Sequence, residues 1–265
     1  EGQLIPQYDS PVDPVTGKRS GTPWVARGKD NLKIFIEAGV LNTTNIAVAS
    51  STEKADLRFS VGNTYNKGII PNTGLNTTNI NLASTLRFNS KLTLDANINY
   101  NKQFSDNFPD VDYGPNSVIY NITIWGGADW NIDDMRNYWQ PGKEGVQSIY
   151  AEYQRCHNPY FMSYEWTRGH YKNDIYAYTS LKYKVNPFVD LFARTSVTTY
   201  DVLRNEKMTF SAHPYGREEN KGDYREDRRS LFESNSEVRA DFKTPVVANF
   251  FKASGFAGAN FRTFN

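Results

Sequence analysis

The chain has 265 residues, which is enough for a sizeable core. Hydrophobic residues make up 38% of it, and its mean hydropathy is −0.64. It contains no apolar run of about 18 residues, the length that a membrane helix needs. A helical membrane protein is therefore excluded, whereas a transmembrane barrel remains open, because its strands alternate apolar and polar residues. The balance of 30 Lys and Arg against 29 Asp and Glu argues against a nucleic-acid partner.

Residues 1–40 are rich in proline and glycine and have no sustained period, which predicts an irregular loop on the extracellular side, with a short helix from Asn31 to Ala38. The N-terminus lacks the basic and apolar regions of a signal peptide, and the C-terminus at Asn265 falls inside a predicted strand. We therefore expect the chain to be a piece of a longer protein.

Residues 41–104 alternate apolar and polar side chains in runs of about 9 to 13 residues, the length that crosses a bilayer as a tilted strand. We predict a first hairpin of Thr43 to Ser50 with Ala55 to Asn66. A second hairpin joins Thr77 to Phe88 with Lys91 to Asn101, across a tight turn at Asn89 and Ser90. These are strands 1–4 of the predicted sheet.

The alternation lapses over residues 105–171, which instead concentrate tryptophan and tyrosine. So many aromatic residues argue against disorder, and a loop this long is typically functional. Trp and Tyr rings stack on sugars or apolar side chains while neighbouring carboxylates bind hydroxyls or amides. The predicted substrate-binding residues are Trp125, Asp129, Trp130, Asp133, Asp134 and Trp139. The alternative is that these aromatic rings pack the loop against itself, its neighbours or a partner protein.

Alternation returns over residues 172–265, which we predict to form strands 5–8, with a charged loop at 204–229. The predicted connections are short and long in turn, as in transmembrane barrels with tight periplasmic turns and long extracellular loops. The predicted fold class is all-β: an antiparallel transmembrane β-barrel segment of about eight strands of a larger barrel.

The sequence contains the turn from Ser51 to Lys54, the string Arg58-Phe-Ser-Val-Gly62 and, most specifically, the string Lys67-Gly-Ile-Ile-Pro-Asn-Thr-Gly74 before a strand. These strings resemble SusC/RagA-type TonB-dependent transporters of Bacteroidota. Asn158-Pro-Tyr-Phe161 and the short Asn186-Pro187 turn are also similar to that family. The resemblance covers roughly residues 30–200. Its departures lie at Ser50 and Ser51, where the family usually has two glycines, and at Thr77 and Thr78, where it has an arginine.

The resemblance implies a barrel of about 22 strands in the outer membrane of a Gram-negative, Bacteroidota-like bacterium. It implies import of oligosaccharides or peptides, with a SusD-like surface lipoprotein as a partner, outer-membrane lipids around the barrel, and drive from the TonB complex. TonB would act through a plug domain that this chain lacks. No cofactor is implied.

Catalysis and metal binding are weakly indicated. The carboxylate pairs Asp133 with Asp134 and Glu218 with Glu219 have no nucleophile motif beside them, so we expect no catalytic residues and no enzyme. Three acidic residues, Asp106, Asp110 and Asp112, only partly resemble a calcium loop. Cys156 next to His157 lacks further ligands, so no metal site is expected.

Two other architectures fit the strand pattern. One is a secreted β-sandwich that acts as a carbohydrate-binding module, in which the outward faces of the strands would meet a second sheet. The other is a complete, small barrel of eight strands.

Overall fold

The structure is a computed structural model that describes residues 2–7, 9–111, 113–150, 156–213, 221–245 and 251–265. Most of these residues belong to one antiparallel β-sheet, and a cluster of short elements packs at one end of it. Within the described ranges, no helix is long and apolar enough to cross a membrane.

The strands of the described chain are numbered β1 to β12 in order. They are β1 Leu4–Pro6, β2 Gly21–Pro23, β3 Val40–Ser51, β4 Ala55–Lys67, β5 Gly74–Arg87, β6 Leu92–Ser105, β7 Trp139–Gln140, β8 Lys143–Gln147, β9 Trp166–Asn186, β10 Val189–Met208, β11 Asp223–Lys243 and β12 Ser254–Phe264. Among the described residues, eight of these strands form the large sheet, in the order β12-β11-β10-β9-β6-β5-β4-β3, and each neighbouring pair is antiparallel.

The large sheet is open, because β3 and β12 lie at opposite edges and do not pair with each other in the described part of the chain. The other sheets found there are the two-stranded pairs β1 with β2 and β7 with β8. A closed barrel of eight strands and a β-sandwich are therefore both wrong for this chain. The predicted all-β antiparallel segment of about eight strands is confirmed.

Three strands show the largest extensions beyond their predicted bounds, all at the end of the sheet with the long connections. Strand β9 begins at Trp166, β10 continues to Met208, and β11 begins at Asp223. The predicted loop 204–229 is therefore wrong over most of its length, since only residues 209–222 connect the two strands. The aromatic loop shortens likewise, from 105–171 to 106–165. Charged residues on both faces hid these extensions, because they remove the apolar and polar alternation.

One face of the large sheet, which we call the apolar face, presents exposed hydrophobic side chains on every strand. Examples on four strands are Val48, Phe59, Ile98 and Val238, which are between 45% and 66% exposed. Their registers place them on one side, since Val48 pairs with Phe59, which in turn pairs with Leu82. A soluble protein rarely leaves so large an apolar surface uncovered.

Aromatic side chains bound the apolar face at both ends. On β11 these are Phe232 and Phe242, which are ten residues apart and both exposed. At about 3.3 Å per residue they are about 33 Å apart along the strand. A strand tilted by about 40° then rises about 25 Å between them, the height of the apolar band of an outer-membrane barrel.

The opposite face, which we call the polar face, carries hydrogen-bonded asparagine and threonine side chains. Asn79 Nδ2 donates to Asn99 Oδ1 at 3.0 Å, and Thr85 Oγ1 donates to Asp95 Oδ1 at 2.7 Å. Charged and aromatic side chains cover the same face farther along the sheet, where the Arg194 guanidinium lies 4.3 Å from the centroid of the Tyr178 ring. This face suits contact with water or with polar protein.

A small hydrophobic core, which we call the cap, lies at the end of the sheet where β9 begins. The cap contains helices α1 Asn31–Phe35, α2 Val118–Ile124 and α3 Pro159–Tyr164, and a 3₁₀ turn Ile132–Met135. Its buried residues come from segments far apart in sequence, and Phe35 meets Tyr160 edge to face with ring centroids 5.2 Å apart. The predicted helix at Asn31 is present but ends at Phe35 rather than Ala38.

Candidate functional site

The three tryptophans that the sequence predicts as substrate contacts differ in how deeply they are buried. Trp130 is 6% exposed and stacks on Tyr150, with ring centroids 4.1 Å apart. Trp139 packs against Phe161 at the margin of the cap, while Trp125 is 38% exposed. Trp130 therefore stabilises the cap. Trp125 is the most exposed of the three tryptophans and is the most accessible to a ligand.

The three predicted aspartates, Asp129, Asp133 and Asp134, are all exposed on the cap. Asp133 lies in the 3₁₀ turn and forms a salt bridge with Arg136, with Nε 2.8 Å from Oδ1. An exposed pair of this kind contributes little to stability, so the carboxylate stays accessible to solvent. Their role in binding a substrate remains a prediction.

Side-chain hydrogen bonds hold the elements of the cap together. Asn158 caps α3, and its Oδ1 accepts from the backbone N–H of Tyr160 at 2.9 Å and of Phe161 at 3.2 Å. The Tyr138 hydroxyl donates to Glu165 Oε1 at 2.9 Å, and burial together with that carboxylate raises the pKa of Tyr138 to about 12. The phenol therefore stays protonated and the bond persists at physiological pH.

Below the cap, the polar face of β9, β10 and β11 forms a cleft of about 630 Å³. Alternate residues on the three antiparallel strands form three rows of three across this face. Seven of the nine line the cleft, and Lys172 and Val202 lie in the adjoining pocket. The rows are Arg168, Glu206 and Arg225; His170, Arg204 and Asp227; and Lys172, Val202 and Arg229. We call these nine positions the arginine cleft; five of them are cationic and two are acidic.

Arg168 is the best-connected residue of the arginine cleft. Its Nε donates to Glu206 Oε1 at 3.0 Å, and its guanidinium lies 4.6 Å from the centroid of the Trp166 ring. Its Nη2 donates to the Asn116 carbonyl at 3.2 Å and lies 3.8 Å from Asp110 Oδ2. Glu206 also accepts from the Trp166 indole N–H at 2.8 Å. Arg168 thus joins the cleft to the cap.

The remaining cations differ in their partners. Arg229 Nη2 lies 2.8 Å from Asp227 Oδ2, and Lys172 Nζ lies 3.1 Å from Asp174 Oδ2. Arg204 and Arg225 are exposed, and within the described part of the chain neither makes a salt bridge. Sequence reasoning missed this site because it assigned 204–229 to a loop, and because its rows form only when three strands pair.

The residues considered for metal binding have other partners. Asp106 accepts from the Tyr171 hydroxyl at 3.1 Å, and Asp110 faces Arg168. Asp112 lies outside the described residues, as do Glu218 and Glu219. Cys156 is buried beside His157, and a search of the described residues finds no group of three or more His, Cys, Asp or Glu that could hold a metal ion.

No protein-family model and no curated protein sequence matches the chain. Solved structures do. The RagAB peptide importer in its open-open state matches with a TM-score of 0.67 and 14% identity, over 89% of this chain and 25% of that one. A structure of the RagAB peptide transporter matches with a TM-score of 0.65, 13% identity and the same coverage. The closed-closed importer gives 0.61 and 12%, over 98% of this chain and 31% of that one.

These matches show a shared fold. The chain spans between 25% and 31% of the length of the solved chains, so it corresponds to a part of each of them. The fold predicted from the resemblance to SusC/RagA-type transporters, a segment of a β-barrel wall with long loops on one side, is confirmed.

Proposed function

We propose that the chain is part of the barrel wall and extracellular loops of an outer-membrane transporter. The observation that carries this proposal is the apolar face, with its exposed side chains and its aromatic residues about 25 Å apart in height. Lipid tails would cover that face, because exposure of its apolar side chains to water is unfavourable. The surrounding bilayer would be the outer membrane of a Gram-negative, Bacteroidota-like bacterium.

The polar face would then line the interior of the barrel, and the cap would lie on the extracellular side above the arginine cleft. Such a protein moves its substrate without covalent chemistry, so we propose that the chain is not an enzyme. Its work would be to bind and admit a ligand, and a TonB complex acting through a plug domain would supply the energy.

The proposed substrates are peptides or oligosaccharides, delivered with the help of a SusD-like surface lipoprotein. The fold similarity to structures described as a peptide importer and a peptide transporter supports the peptide class. The mixed character of the arginine cleft, with cations, carboxylates and the Phe108 ring around one space, suits a peptide better than a neutral sugar.

The proposal is tested in the intact protein in its native host. In a Cys156→Ser background, each variant carries one new cysteine on β6. The replaced positions are consecutive and extend in both directions from Ile98 and Asn99. In isolated outer membranes, a maleimide attached to a lipid-soluble probe should label the Ile98 side of the strand, with a period of two residues. Deletion of the gene should abolish growth on a peptide or an oligosaccharide as sole carbon source.

A soluble or periplasmic location would overturn the proposal. So would a labelling pattern without the two-residue period. Wild-type growth of the deletion strain on every peptide and oligosaccharide tested would leave the membrane assignment standing and remove the import function.

A further inference from the structure

The arginine cleft carries more positive charge than its own carboxylates neutralise. Five of its nine positions are Arg or Lys, whereas Glu206 and Asp227 are the acidic ones, which leaves a surplus of three positive charges (5 − 2). Asp110, which lies near Arg168, and Asp174, which pairs with Lys172, lower that surplus to one.

Two of the cations, Arg204 and Arg225, form no salt bridge in the described part of the chain, although both act electrostatically on the Asp227 carboxylate. Arg204 is directly opposite Asp227 in the sheet, and Arg225 is opposite Glu206. Arg204 and Arg225 are therefore diagonal neighbours on adjacent strands, about 7–8 Å apart and somewhat closer at their Cβ atoms. Two extended guanidinium groups at that separation can converge on one carboxylate, and planar guanidinium groups bind carboxylates with paired hydrogen bonds.

The other groups of the cleft indicate what kind of molecule carries the carboxylate. Asp227 and Asp110 would repel a uniformly anionic chain, and they suit a ligand that also brings positive or N–H groups. Leu75 and Phe108 line the same space and offer apolar contact. Peptides combine carboxylates, backbone N–H groups and apolar side chains, whereas acidic polysaccharides repeat one negative charge.

We propose that the arginine cleft selects peptides with acidic side chains, and that Arg204 and Arg225 together bind a carboxylate of the peptide. This inference rests on the proposed import function, and it identifies the charge class of the substrate. Arg168 serves as a positioning residue, because its contacts with Glu206 and Asp110 keep those two carboxylates away from Arg204 and Arg225.

Binding is measured with the purified full-length transporter in lipid nanodiscs. The probes are two short peptides that are identical except that one has Glu where the other has Gln. We expect the Glu peptide to bind about tenfold more tightly, and the advantage to shrink as salt is added. In the double variant Arg204→Gln, Arg225→Gln the two peptides should bind equally.

Two further variants separate charge from folding. Arg228 lies on the same strand between Arg225 and Arg229 but on the opposite face, where it pairs with Asp201. Arg228→Gln should therefore keep the full preference for the Glu peptide. The double variant Arg204→Lys, Arg225→Lys keeps the charge but loses the planar geometry, and it should retain part of the preference.

The possible results test the preference for acidic peptides and the proposed import function separately. Equal binding of the two peptides by the unaltered transporter, with import intact, would overturn the charge selection and leave the import function standing. An arginine-dependent affinity for an oligogalacturonide with no affinity for either peptide would overturn the peptide class. Absence from the outer membrane, together with no uptake of any peptide, would refute the import function itself.

Discussion

His157 and His213 stack in the interior of the cap, with ring centroids 4.1 Å apart and planes 23° from parallel. The backbone N–H of His213 donates to His157 Nε2 at 3.1 Å, and both side chains are buried. The contact joins the start of α3 to the segment that follows β10. Because Nε2 must accept that hydrogen bond, the His157 ring is neutral in this arrangement.

The first prediction is that acid loosens the cap. Burial, reinforced by the neighbouring His213 and Arg168 side chains, holds the pKa of His157 well below its ordinary value of 6.5. The opened cap therefore binds a proton more readily than the closed cap. The stability of the closed cap is full above about pH 6.5 and falls as the pH drops below that value. Hydrogen exchange of residues 156–166 should show lower protection factors at about pH 5 than at about pH 7.5.

The control variant is His157→Gln, which keeps a hydrogen-bond acceptor but does not titrate. It should have lower protection than the wild type at neutral pH, and its protection should vary less with pH. A wild-type cap whose protection factors stayed constant down to about pH 5 would contradict the prediction.

A second prediction concerns the two faces of β6. Ile98 lies midway along the strand on the apolar face, and Asn99 follows it on the polar face. Ile98→Lys would expose a charge to hydrocarbon, so we expect it to destabilise the folded protein in lipid by about 2–4 kcal/mol. Asn99→Lys introduces the same charge toward the interior and should cost less than about 1 kcal/mol. Urea unfolding in lipid vesicles measures both, and equal losses would exclude the assigned orientation.

A third prediction separates structural from ligand-facing tryptophans. Trp130→Ala removes a buried ring that stacks on Tyr150, and it should destabilise the cap by about 3–5 kcal/mol. Trp125→Ala should change stability by less than about 0.5 kcal/mol and weaken substrate binding by about threefold to tenfold. Hydrogen exchange reports the first quantity and calorimetric titration the second. Unchanged binding in the Trp125 variant would remove that residue from the list of substrate contacts.

The sequence predicts the strands within the apolar band well, because one face of each strand meets an apolar environment and the other a polar one. The alternation of Leu57, Phe59 and Val61 with Arg58 and Ser60 is enough to identify β4. Above the band both faces meet polar surroundings, so the period of two disappears. For this reason the sequence predicts loops at the ends of β9, β10 and β11.

The cap and the arginine cleft are harder to predict, because their contacts join residues far apart in sequence. Asn31 Nδ2 donates to the Trp130 carbonyl at 3.2 Å, and Asn31 Oδ1 accepts from the backbone N–H of Ile132 at 3.0 Å. No local pattern indicates such a pair. Arg204 and Arg225 likewise become neighbours only once the register of β10 and β11 is fixed.

The final prediction tests the capping asparagine of α3. Asn158 is fully buried, its Oδ1 accepts two backbone N–H groups, and its Nδ2 donates to the Met135 carbonyl at 3.0 Å. Asn158→Ala removes the helix cap, which is worth about 1 kcal/mol, and leaves the partly buried Met135 carbonyl without this donor, at about 1–3 kcal/mol. We expect a total loss of about 2–4 kcal/mol, measured as faster hydrogen exchange over residues 156–166.

The matched control is Asn131→Ala, which removes the capping residue of the 3₁₀ turn. The Asn131 side chain accepts from the backbone N–H of Asp133 at 3.1 Å in an exposed position, so water can replace the bond. Its loss should cost less than about 1 kcal/mol. Similar exchange rates in the Asn131 and Asn158 variants would show that burial does not set the cost, and that α3 does not depend on its capping asparagine.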